Sequence, residues 1–176
     1  MRKITYKSRC LWLLAAVFWM LLIFHFSDQK AVVSGKTSGR LTERIAEGIN
    51  EVFHLDWEKD TVEAFAEQLE HPVRKMAHMT EYAILAWILL GNCMQYPFFQ
   101  KKCGLWAWLG ASLYAATDEF HQLFIEGRSG ELKDVLIDSM GACAGLLLAW
   151  AVICIVKNRQ KKKNRRKSVL LKGEGP

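Results

Sequence analysis

The sequence predicts an all-α, polytopic membrane protein. It would have four transmembrane helices in a bundle, an external helical loop and both termini in the cytoplasm. Three observations carry this. The apolar residues are gathered in four blocks, Cys10–Phe26, Met76–Met94, Gly104–Phe124 and Val135–Val156, not spread at amphipathic spacing. Crossing a bilayer core takes about 20 apolar residues. The charges sit unevenly: basic residues cluster outside the blocks at three places, whereas the loop 27–75 holds seven basic and ten acidic residues. Ionisable groups also crowd the mouths of the blocks at one end only, above all in "LYAATDEFHQLFIEGRSGELKDVLIDSMG".

The first block, "CLWLLAAVFWMLLIFHF", has no polar face, which suits lipid better than a small soluble core. No small-x-small site follows it, so it reads as an uncleaved span. Arg2, Lys3, Lys7 and Arg9 precede it, Lys101 and Lys102 separate blocks two and three, and "KNRQKKKNRRK" follows block four. Lysine and arginine mark the cytoplasmic side. The chain therefore divides into a cytoplasmic N-terminus, 1–9, a membrane domain, 10–156, and a basic cytoplasmic tail, 157–176. The tail is a stop-transfer signal that also suits anionic lipid headgroups; nothing in it calls for nucleic acid, despite the net charge of +6. None of the five cysteines falls in an external loop, so no disulfide framework is implied.

Within the external loop, Leu41, Ile45, Ile49, Val52 and Phe53 recur at helical spacing, and Val62, Phe65 and Leu69 do so again. This predicts two short amphipathic helices broken near "HLDWEKD". Asp60 is expected to cap the second, with Glu63 three residues on. His71–Pro72 should end it, and Pro72 suits the first turn of the second span. Capping the bundle is the expected role, with the outer membrane surface as alternative.

On this topology the polar ends of all four spans meet outside. The first ends at Ser27, Asp28 and Gln29; the second begins with "PVRKMAHMTEY"; the third ends with "TDEFHQ"; the fourth begins with "KDVLIDSMG". Arg74, His78 and Glu81 share one helix face at spacings of four and three. Asp134, Asp138, Gly141 and Gly145 share another, and the two glycines permit close helix approach, within the chain or in a homo-oligomer. Asp118, His121 and Gln122 cover a broader arc, with Glu119 rotated away towards headgroup level. Glu81 lies about 10 Å below Arg74 along the helix. Charges in bilayer hydrocarbon are costly, about 2.5–3.5 kcal/mol at a helix centre. The groups therefore make sense together, as a polar pocket in which Arg74 and Arg128 offset Glu81, Asp118 and Asp138. The tryptophans Trp12, Trp19, Trp87, Trp106, Trp108 and Trp150 belong in lipid or at headgroup level.

The ordered set "FSDQ", "RKMAHMTEY" and "ATDEFHQLFIEGRSGELKDVLIDSMGACAG" resembles the VanZ-like family of bacterial membrane proteins, from about Phe24 to Gly145. The resemblance assigns family positions to Ser27 and Gln29; to Arg74, Lys75, His78, Glu81 and Tyr82; to Asp118, Glu119 and Gln122; and to Arg128, Asp134 and Asp138. The sequence departs at Met140, where many members carry a polar residue. The resemblance implies an envelope protein associated, in founding members, with low-level teicoplanin resistance, and it implies no particular reaction. Three function classes follow. One is a binder or modulator of membrane lipids, a lipid-linked cell-wall precursor or a lipoglycopeptide, with Arg74, Lys75 and Arg128 as phosphate donors. The second is an intramembrane acid–base enzyme using Glu81, Asp118 and Asp138, with His78 or His121 as base. The third is a structural or partner-binding bundle. His78 and Glu81 sit one turn apart, as in helix-bundle metal sites, but a buried ion-pair network is the simpler reading, and no metal or cofactor is assigned.

Overall fold

The computed structural model describes residues 6–29 and 31–173; Arg2 and Lys3 at one end and residues 174–176 at the other lie outside the described residues. Among the described residues there are six helices and no strand: α1 (Tyr6–Ser27), α2 (Ala31–Phe53), α3 (Lys59–Cys93), α4 (Pro97–Gln100), α5 (Cys103–Gln122) and α6 (Leu132–Gly173). Two of them, α1 and the Leu132–Asn164 part of α6, are long and apolar enough to cross a membrane.

The centre of the fold is α3, which packs against α1, α2, α5 and α6. Its lower half buries Tyr82, Leu85 and Ala86 completely, against Ile23 of α1, Ala111 and Ala115 of α5 and Ala142 of α6. Most of these residues are small, so the helices approach closely. Gly141 and Gly145 are where this is tightest. A Cβ at either would stand 2.7 Å from the Cα of Met79 or Ala83, closer than any side chain permits. The glycine face of α6 is thus occupied within the chain. The large apolar side chains lie on the outside instead: Leu11, Phe18 and Leu21 on α1, Leu113 on α5 and Leu147 on α6 are each more than half exposed. A small-residue interior inside a bulky apolar exterior inverts the soluble pattern and suits packing in lipid.

Indole and phenol groups staple the helices. Trp19 donates to the carbonyl of Glu81 (2.9 Å), Tyr114 to that of Met20 (2.6 Å) and Trp108 to that of Ser139 (3.1 Å). Trp12 lies against Gly91. Trp19 and Trp108 therefore turn inwards rather than to lipid, since an N–H in apolar surroundings needs an acceptor, and Trp12 turns inwards because Gly91 leaves room for its ring.

The external segment differs from expectation. The break near "HLDWEKD" is present: His54 and Asp56 adopt positive φ (50° and 51°). Asn50 ties the turn by accepting from the Trp57 backbone N–H (3.0 Å) and donating to its carbonyl (3.3 Å). The second amphipathic helix, however, is not separate from the second span. It runs through Pro72 without interruption as the upper half of α3, and its N-cap is Glu58, not Asp60. An interior proline removes one helical hydrogen bond and crowds the preceding turn, at about 3 kcal/mol. The packing of Ala46 on Val62 and Ala66, and of Trp57 on Phe65, holds the α2–α3 arm regardless. The Glu70–Arg74 ion pair (2.7 Å) spans the proline. On α2, Leu41, Val52 and Phe53 remain more than half exposed, so its apolar stripe does not cover the bundle. α6 likewise does not end with its apolar block at Val156 but continues as helix through the basic segment.

Candidate functional site

The site lies where α1 and α5 end and α6 begins, around the middle of α3. After α5 the chain turns back through Gly127, whose φ of 78° is open to glycine and strained for other residues. This reversal carries Arg128 to the end of α1, where it donates to the carbonyls of Gln29 (2.9 Å) and Phe26 (3.4 Å). The following segment is fixed by the Glu131 N–H, which donates to the Glu119 carboxylate (3.1 Å). Glu119 therefore serves the start of α6 and is buried. The expectation that it rotates away to headgroup level fails because this return loop, not lipid, covers its side of α5.

Between α3, the end of α5, the loop and α6 is a cavity of ≈ 180 Å³. Arg74, Lys75, His78, Glu119, Gln122, Arg128, Asp134 and Asp138 line it, joined by His71, Ser129 and Glu131. Its charges divide into two kinds. Lys75 is neutralised by Asp134 at 2.6 Å, and this hydrogen bond raises the pKa of its ammonium above the ordinary value. Arg74 is paired with Glu70. Arg128 has no ion pair among the described residues. Burial lowers its pKa, and the neighbouring charge of Arg74 lowers it further. Two guanidinium groups thus face one small cavity, one of them bound only to backbone carbonyls. The lining also holds the carboxylates of Glu119, Glu131 and Asp138.

Deeper in the bundle lies a second polar layer. Gln122 donates to the Ser27 hydroxyl (2.9 Å), and both are buried. Asp118 is 3% exposed, with Ser27, Tyr82, Gln122 and the charge of His78 around it. Among the described residues no hydrogen bond of full geometry reaches its carboxylate oxygens, the Tyr82 hydroxyl or one oxygen of Asp138, although the Ser27, Tyr82 and Gln122 side chains stand close enough to Asp118 to act as donors. His78 Nδ1 stands 3.5 Å from Glu81, an ionic approach too long and poorly aligned for a good hydrogen bond. His121 is not brought to this layer. It stacks on Phe24 (4.6 Å) and meets Asp28 (3.2 Å) on the rim. Gln29 contributes its carbonyl to Arg128 and its side chain to a separate cavity beside α2.

Among the described residues, no group of three or more His, Cys, Asp or Glu is arranged to hold a metal ion. His71, a lining residue absent from the expected set, was legible in principle. It continues the 74–75–78 face one turn upwards, but a helix starting at Pro72 leaves it outside that face.

A family model described as VanZ/LLP1 matches residues 12–155, which takes in every helix that contributes to this end of the bundle. No curated protein and no solved structure matches the chain.

Proposed function

Because the chain belongs to the VanZ/LLP1 family, we propose that it is a multi-pass cell-membrane protein that binds a phosphate-bearing lipid headgroup at the outer surface. Two apolar helices and the family mark a membrane protein. In the full reading α1, the lower half of α3, α5 and α6 span the bilayer, with both termini in the cytoplasm. Lys7, Arg9, Lys101, Lys102 and the basic end of α6 then flank one side, as the bias of lysine and arginine requires. The polar cavity opens to the other side, and the exposed apolar stripe of α2 rests on the outer leaflet.

The observation that carries the reading is the pair Arg74 and Arg128 on one small cavity, with no carboxylate ion-paired to Arg128 among the described residues. Like charges held together are relieved by an anion, and guanidinium groups recognise phosphate bidentately. The carboxylates in the lining favour a headgroup that carries hydroxyl or amine donors beside its phosphate. Lipid-linked wall precursors have both features. Engagement of such a lipid is how a member of this family would lower susceptibility to teicoplanin-type lipoglycopeptides.

The test is direct. Purified protein should bind inorganic phosphate, and Arg128→Gln should weaken that binding at least about tenfold, the loss of one charge-assisted contact. Absence of phosphate binding by the wild type at millimolar concentration would sink the reading. In a sensitive Gram-positive host at matched membrane levels, the wild type should raise resistance to teicoplanin but not vancomycin, and Arg128→Gln should abolish the difference.

A second reading rests on Asp118 and Asp138. Two buried carboxylates with incompletely satisfied oxygens among the described residues call for a role, and an acid–base pair acting on the bound headgroup would supply one. Turnover of a lipid-linked phosphate by the wild type, lost in Asp118→Asn and Asp138→Asn with binding retained, distinguishes this enzyme from a binder.

A further inference from the structure

Beside the polar cavity is another, of ≈ 150 Å³, between the end of α1, α2 and α3. Phe26, Leu41, Val73 and Ala77 give it most of its exposed surface, and Gln29, Ser38 and Glu81 complete its lining together with Arg74 and His78. It shares Arg74 and His78 with the polar cavity, so these two side chains form the partition between them. The bundle thus sets a chamber lined by charges of both signs and a smaller slot side by side, with the Arg74 guanidinium facing both.

We infer that the slot holds the first carbons of a single hydrocarbon chain whose phosphate sits in the polar cavity, so that the ligand class is a single-chain lipid phosphate. This rests on the headgroup reading above and narrows it. Three observations support it. The shared Arg74 places a phosphate contact at the edge of the slot, as an ester-linked phosphate and chain demand. The volume corresponds to about five methylene-sized groups at roughly 30 Å³ each, room for the start of one chain and not for the two chains of a glycerophospholipid. Phe26 and Leu41 are about half exposed, so the slot opens sideways to the apolar belt, where the remainder of the chain would lie in the bilayer.

The experiment compares farnesyl phosphate, below its micellar concentration, with inorganic phosphate on the purified full chain in detergent. Phosphatidylglycerol in mixed micelles serves as competitor. Ala77→Phe and Leu41→Trp narrow the slot from two different helices, and thermal unfolding verifies that each variant folds. The wild type is expected to bind farnesyl phosphate at least about tenfold more tightly than inorganic phosphate, one decade being a modest yield for several buried carbons. A folded slot variant should lose this preference and keep its affinity for inorganic phosphate. Phosphatidylglycerol should compete weakly. Equal affinity of the wild type for the two probes, or a chain preference that survives both folded variants, overturns the slot and leaves the headgroup reading standing. Phosphatidylglycerol displacing farnesyl phosphate at equal concentration overturns the single-chain assignment. Failure of the wild type to bind any phosphate probe overturns both.

Discussion

Gln122 of α5 donates a 2.9 Å hydrogen bond to the hydroxyl of Ser27 at the last residue of α1, and both side chains are buried. The contact joins ends 95 residues apart in sequence. It also presents two neutral groups to the Asp118 carboxylate. The same two helices are joined at other levels by the Tyr114 hydroxyl on the Met20 carbonyl and by the Phe24–His121 stack, but this bond is the buried one beside Asp118.

Ser27→Ala is therefore expected to lower stability by about 1 kcal/mol, the usual range for leaving a buried amide unpartnered. Gln122→Leu alone should have a similar effect. The double variant should recover part of the loss, giving a coupling of about 0.5–1.5 kcal/mol in thermal or denaturant unfolding of purified protein. Strict additivity would show that the two groups do not interact.

At Gly145 a methyl group would meet the α3 backbone at Ala83, and at Gly141 it would meet that of Met79. Backbone cannot yield as a flexible side chain does. Gly145→Ala should destabilise by about 1–3 kcal/mol, as over-packing does, and Gly145→Leu by more. Gly39 has nothing within 4 Å of its Cβ position, so Gly39→Ala serves as a control and should leave the melting temperature the same or higher.

The Lys75–Asp134 ion pair at the site makes a contribution to stability that depends on pH. The pKa of Lys75 is raised above its ordinary 10.5, chiefly by the hydrogen bond from Lys75 to Asp134. The sign follows: the contribution is complete below the unfolded pKa and is lost as pH rises through the higher folded value. The pair is partly exposed, so its worth is below about 1 kcal/mol. Lys75→Met should therefore destabilise slightly at pH 7 and not at all above the folded pKa. A Lys75→Met penalty that persists unchanged through that window would contradict this account.

Asp118→Asn replaces a buried carboxylate, which has only neutral hydroxyl and amide groups and no ion pair within 4 Å among the described residues, by a neutral group of the same shape. Breaking a good buried pair costs about 3–5 kcal/mol, but no such pair exists here. The variant should be as stable as the wild type or more stable, with teicoplanin protection reduced. Stability and protection measured on the same preparations separate these effects, and a variant that loses both would mark Asp118 as structural.

Much of this architecture was legible because it depends on composition. The four apolar blocks and their flanking charges need no tertiary information, and the resemblance to the VanZ-like family was borne out by the match over 12–155. What stayed hidden depends on partners distant in sequence. Pro72 reads locally as a helix start, and only the packing of Ala46 on Val62 and Ala66 shows why the helix continues through it. Helical phase alone turns Glu119 outwards, but the loop that returns through Gly127 gives it a backbone N–H to hold. The same phase groups His121 with Asp118, yet Phe24 and Asp28 keep it on the rim. The inward turn of Trp19 and Trp108 stayed hidden because a carbonyl acceptor on a neighbouring helix leaves no mark in the sequence.

Pro72 has one further consequence. With no N–H to give, it leaves the carbonyl of Gln68, one turn above, without its helical donor. The longest stretch of contact in the molecule therefore runs along a rod with a joint in it. Above the joint is the arm made with α2; below it is the bundle. One ionic strap crosses the joint, from Arg74 to Glu70, and Ser38 of α2 donates to the same carboxylate at 3.0 Å. Arg74 also lines both cavities. The fastening of the arm and a wall of each cavity thus fall to a single side chain, so a change at Arg74 is felt in the arm and in both cavities at once.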